Sequence, residues 1–93
     1  MLYRSVCREE YEQIGNSGRF ELGGGAEGKY FWERRADAVR FGEQMGSPYL
    51  IRARYRGHAA AQFERFPRLD GMGAARFANE EQMNVELLEV KPQ

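Results

Sequence analysis

Cysteine and histidine are close to absent: Cys7 and His58 each stand alone among 93 residues. One thiol forms no internal disulfide, and one thiol with one imidazole cannot supply the ligand sets of a zinc site, so no disulfide framework and no thiolate or imidazole metal centre is expected. Long apolar runs are missing as well. No stretch approaches the roughly 18 residues of a membrane-spanning helix, and the first residues lack the charged-then-apolar layout of a secretory signal, which points to a cytosolic setting without a membrane partner. There is no excess of charge, since 14 Lys and Arg balance 14 Asp and Glu. That balance removes the simple case for a protein that tracks polyanions by net charge alone.

The charge is less even along the chain. Arg34, Arg35, Arg40, Arg52, Arg54 and Arg56 gather in the middle, and Glu80, Glu81, Glu86 and Glu89 lie near the end. Folding either sets a basic face against an acidic edge or leaves an ordinary solvated scatter.

The length suits one domain with little room for a second core. Leu2 to Val6 reads as a short strand. A helix follows from about Arg8 to Asn16, with Cys7, Tyr11 and Ile14 on one face, Glu9 and Glu10 favouring its N-terminal dipole, and Gly15 and Gly18 as a stop. Phe20 to Gly28 is too rich in glycine for regular structure and reads as a mobile loop. Lys29 to Trp32 reads as an aromatic strand leading into a helix from about Arg34 to Met45, ended by Gly46, Ser47 and Pro48. The clearest strand is Tyr49 to Arg56, where apolar and polar residues alternate. His58 to Phe66 suggests a short helix limited by Pro67, Asp70 to Gly73 a turn, and Val85 to Val90 an internal strand with apolar residues on both faces. This order is neither a regular βα alternation nor an all-β pattern. It fits the α+β class, a small curved sheet with packed helices. The glycines of residues 23 to 28 have neither the spacing of a dinucleotide fingerprint nor the Lys-Ser/Thr of a P-loop.

Six ordered segments carry a resemblance: LYRSV at 2 to 6, EGKYF at 27 to 31, ADAVRFG at 36 to 42, YLIRARY at 49 to 55, RLDGMGAARFA at 68 to 78, and the glutamate pair before the last strand. Together they resemble the small ADP-ribosyltransferase-like domains at the C-termini of bacterial polymorphic toxins of the Rhs and contact-dependent kind. The resemblance implies a split β-sheet that clasps NAD as co-substrate, with an Arg or His on the first strand, an aromatic or Ser on the second, and a Glu or Gln at a late strand. Carried onto this sequence, the catalytic carboxylate is Glu81, with Glu80 as the close second. Arg4 would bind a phosphate or ribose hydroxyl, with Tyr3 as its neighbour on the opposite face. Tyr30, or Phe31 if the register differs by one, would stack on the nicotinamide ring, and Gln82 would contact the acceptor. The implied reaction is cleavage of the nicotinamide N-glycosidic bond and transfer of ADP-ribose to a protein or RNA acceptor, or to water. The resemblance further implies an immunity protein that covers the cleft and action in the cytoplasm of a target cell.

The same residues have plainer uses. Tyr30, Phe31 and Trp32 suit core packing, Glu80 and Glu81 a solvated loop, and His58 a surface turn. Cys7 suits a half-buried helix start. Arg4, in an apolar strand, demands either an open cleft or a carboxylate partner, because an unpaired buried guanidinium is costly. Two other functions compete: a metal-independent ribonuclease using His58 beside Arg52, Arg54 and Arg56, and a non-catalytic protein-interaction domain.

Overall fold

A computed structural model of the chain describes residues 1–23 and 26–93. Gly24 and Gly25, part of the segment read from the sequence as a mobile loop, lie outside the described residues. The elements run β1 (Leu2–Val6), α1 (Arg8–Ser17), β2 (Gly28–Trp32), α2 (Arg35–Met45), β3 (Tyr49–Tyr55), a 3₁₀ turn (Ala59–Gln62), β4 (Glu64–Leu69), β5 (Gly73–Asn79), α3 (Glu80–Val85) and β6 (Leu87–Pro92). The six strands form one sheet in the order β4-β5-β2-β1-β3-β6, and each pairing is antiparallel. With three helices packed on it, the chain has an α+β fold.

Alternation along the strands gives the sheet two buried faces. On one face Leu2, Val6, Phe31, Ile51 and Ala78 meet Ile14 of α1 and Met83 of α3. On the other, Trp32, Leu50 and Ala75 meet Ala38 of α2. Gly42 lets α2 pass close over β1, since a Cβ there would lie 2.7 Å from the Ser5 Cβ. Ser5 Oγ adds a buried hydrogen bond to the Ala38 carbonyl. Both long helices end on a glycine in the left-handed conformation, Gly18 (φ 69°) and Gly46 (φ 68°), which an L side chain adopts only with strain.

The five N-terminal elements lie where the sequence pattern puts them; the later ones do not. The expected helix from His58 to Phe66 is a 3₁₀ turn followed by strand β4, because the chain turns extended at Phe63 to pair with β5. The last strand is shifted to Leu87–Pro92 and sits at the sheet edge, with Val85 and Leu88 exposed, so apolar residues on both sides did not mean an internal strand. Phe20, taken as part of the mobile loop, is 1% exposed, and the Asn84 side chain bonds both its N–H and its carbonyl at 2.8 Å. Cys7 is exposed, not half-buried.

Candidate functional site

The sheet is thinnest at its centre. β1 pairs with β3 through five residues, from Leu2↔Ala53 to Val6↔Tyr49, but with β2 only through Tyr3↔Trp32. A side chain takes over where that ladder stops. Arg4 Nη1 donates to the Tyr30 carbonyl at 3.0 Å, and Arg4 Nε and Nη2 donate to the two carboxylate oxygens of Glu10 at 2.8 and 3.0 Å. Lys29 reaches Glu10 from β2 at 2.9 Å. The carboxylate partner that Arg4 demands is therefore Glu10, delivered by the first turn of α1. Burial opposes ionisation of Glu10, but the bonds and charges of Arg4 and Lys29 outweigh it and hold its pKa below the ordinary value.

This seam opens into a cleft of about 520 Å³. Its apolar wall comes from Tyr30 and Trp32 of β2, Phe41 and Met45 of α2, and Leu69 at the end of β4. Its polar lining includes Arg4, Glu10, Ser47 and Asp70. Tyr30 stands at the lip, 40% exposed, with its ring 4.9 Å from that of Phe77 and 5.8 Å from that of Phe66. Trp32 is 2% exposed and packs on Phe41 at 5.4 Å. The arrangement is a largely aromatic slot with a fixed guanidinium at one wall, a setting for a planar ring attached to a polar group.

No protein-family model, curated protein or solved structure matches the chain.

Of the residues named from the sequence, Arg4 and Tyr30 come together in this cleft. The strand register turns Tyr30 outward, whereas Phe31 is fully buried edge-to-face with Phe20, ring centres 5.1 Å apart, so Phe31 serves the core and offers no stacking surface. Tyr3 packs partly buried against the Trp32 cluster, away from the cleft lining. Glu80 and Glu81 open α3 and are exposed. Glu81 borders a separate hollow of about 430 Å³ with Phe63, Gln82 and Val85. Gln82 completes a capping box with Asn79: the Gln82 N–H donates to Asn79 Oδ1 at 2.8 Å and the Asn79 N–H to Gln82 Oε1 at 2.9 Å. Tyr30 and Trp32 turn to the α2 face of the sheet, whereas α3 packs Met83 into the cluster on the α1 face, so Glu80 and Glu81 do not join Arg4 and Tyr30 in the cleft.

Three contributors to the site were not singled out from the sequence. Glu10 and Lys29 reach it as partners of Arg4, and the need of a strand arginine for a carboxylate was the available signal. Asp70 arrives through the turn joining β4 and β5, a hairpin that the sequence reading did not contain. The alternative basic face is also altered. β6 lies beside β3, so Glu89 stands 3.9 Å from Arg52 and 4.0 Å from Arg54, while Glu86 approaches Arg56 at 3.4 Å. The acidic edge partly neutralises the basic strand instead of standing apart from it. Among the described residues, no group of three or more His, Cys, Asp or Glu is placed to hold a metal ion, and no helix is long and apolar enough to cross a membrane.

Proposed function

We propose that the chain is an NAD-consuming domain of the ADP-ribosyltransferase kind, cleaving the nicotinamide N-glycosidic bond and passing ADP-ribose to an acceptor or to water. The observation that carries this reading is the meeting of Arg4 and Tyr30, from different strands, in one cleft at the seam where the central sheet is held by a single residue pair. A split sheet with an arginine on its first strand and an aromatic on its second is what the sequence resemblance implies. The electron pair of the broken bond leaves with nicotinamide, and the ribose becomes oxocarbenium-like until a nucleophile adds. The aromatic slot orients the leaving ring. Arg4, with two of its five N–H donors left over from Glu10 and Tyr30, hydrogen-bonds the phosphate or ribose. Glu81, or Glu80 beside it, is the carboxylate that stabilises the cationic ribose, the role that the sequence resemblance assigns to it. An immunity protein would act by covering the same cleft.

Nicotinamide release from NAD by the purified chain tests this reading. Wild type releases nicotinamide, a bacterial lysate stimulates release if an acceptor is present, and Glu81→Gln or Glu80→Gln slows it about 100-fold with the fold retained. A folded wild type that releases none at high NAD would sink the reading.

A second reading, a non-catalytic interaction domain, is favoured by one observation: the Tyr30, Phe66 and Phe77 rings form a partly exposed aromatic row across three adjacent strands. It requires no turnover of NAD and no effect of the glutamate substitutions.

A further inference from the structure

One carboxylate serves three cations on the α2 face of the sheet, where β3 meets the edge strand β6. Glu89 stands 3.9 Å from Arg52, 4.0 Å from Arg54 and 3.3 Å from Lys91, and the side chains of Arg54 and Lys91 are 49% and 54% exposed. The arginine pairs are long. Among the described residues the side chains of Arg52 and Arg54 donate no hydrogen bond, whereas those of Arg4, Arg8, Arg65 and Arg76 are all bonded to carboxylates. The neighbouring elements do not cancel the surplus. Arg56 and Glu86 offset each other at 3.4 Å, and Arg40 pairs with Asp37 at 3.8 Å. On the side of α2 that Val39 turns towards β3, helical spacing adds Arg35 and Glu43, one of each sign. β1 contributes the uncharged Tyr3 and Ser5, and no strand pairs with the far edge of β6. Two positive charges are left over on an open sheet face.

We propose that this face binds single-stranded nucleic acid through its phosphates. Arg52 and Arg54 are two residues apart on one strand, about 7 Å, and Lys91 lies across from Arg52 at about 5 Å. That spacing suits successive phosphates of an extended strand, and a guanidinium with free donors takes a phosphate in bidentate fashion. The adjoining hollow favours a nucleotide over an acidic peptide. It has a volume of about 380 Å³ and begins at Leu50, two residues from Arg52. It combines the apolar Val39, Leu50 and Pro48 with acceptor oxygens of Glu43 and Ser47, a lining for one base. The inference is independent of the NAD reading, since none of the three cations lines the β1/β2 cleft.

Fluorescence anisotropy of a labelled octauridylate with the whole chain tests it. Binding is saturable at low salt, and the logarithm of the binding constant falls with the logarithm of salt concentration with a slope of about −2, as counterion release from three phosphates requires. Arg54→Gln weakens binding about threefold to tenfold and reduces the steepness of that slope by about 0.7. Glu89→Gln strengthens binding, because the shared carboxylate no longer competes for the cations. Arg8→Gln, at an exposed arginine of α1, changes nothing. An abasic octamer of the same charge binds about tenfold more weakly for want of the base. No saturable binding, an abasic octamer or polyglutamate that binds as tightly as octauridylate, or equal losses in Arg54→Gln and Arg8→Gln would overturn the proposal. Nicotinamide release is untouched by Arg54→Gln, so its absence bears on the catalytic reading alone.

Discussion

Glu10 bonds two cations at once, and this makes it the residue on which the seam depends. Its side chain is 14% exposed, against 22% for that of Arg4 and 10% for that of Lys29. Replacing it by Gln leaves two half-buried cations without their counter-charge. We expect Glu10→Gln to cost about 1–3 kcal/mol, less than breaking a fully buried pair because water still reaches Arg4. The pH dependence follows from the direction of the shift. The folded state holds Glu10 below its ordinary value of 4.5, so its stabilisation is complete above that value and is lost as pH falls through it towards the lower folded pKa. Chemical denaturation at pH 7 should therefore show a clear gap between wild type and Glu10→Gln, and the gap should narrow towards pH 3. A gap that is constant across this range would mean that the ionised carboxylate contributes nothing. Glu33 follows the same logic at the other end of β2, where the Arg65 bond chiefly, with Arg76 at 2.9 Å, holds its pKa low against partial burial.

At the scale of elements, the least regular part of the chain is fixed by a cap. α3 has only six residues, too few to be stable alone, and it is anchored by the Asn79–Gln82 box, by Met83 in the core and by the Tyr55 hydroxyl, which donates to the Met83 carbonyl at 2.8 Å. Asn79→Ala should cost about 1 kcal/mol and lower the Tm by about 5 °C in thermal denaturation. An unchanged Tm would mean that tertiary packing alone sets this helix. The same segment shows why the C-terminal half was hard to read. β5, with the sequence GAARFAN, has alanines where strands usually carry branched residues; it is extended because β2 pairs with it, and Ala75 and Ala78 are small because they are fully enclosed beside Trp32 and Phe31. The capping box is visible as Asn79 followed by Gln82 three positions later, but the glutamates between them also suit a solvated loop. The first five elements were legible because Gly18 and Gly46 mark helix ends and β3 alternates cleanly.

At the scale of the molecule, the centre of the sheet is held less by backbone bonds than by side chains: two apolar clusters, one on each face, and the Arg4–Glu10–Lys29 group. The candidate cleft lies at that point. Arg4 was legible because a guanidinium in an apolar strand demands a partner, whereas Tyr30 was named only through the family resemblance, its residue type alone suiting core packing. Asp70 and Glu10 were not, because a hairpin and a helix turn bring them in from elsewhere, and local sequence carries no record of that approach. The central claim is that NAD occupies the β1/β2 seam, and an NMR titration of the labelled chain with NAD tests it most directly. The account predicts saturable shifts at Arg4, Tyr30, Ser47 and the Trp32 indole; no shifts, or shifts confined to the hollow between Ala59–Gln62 and α3, would contradict it.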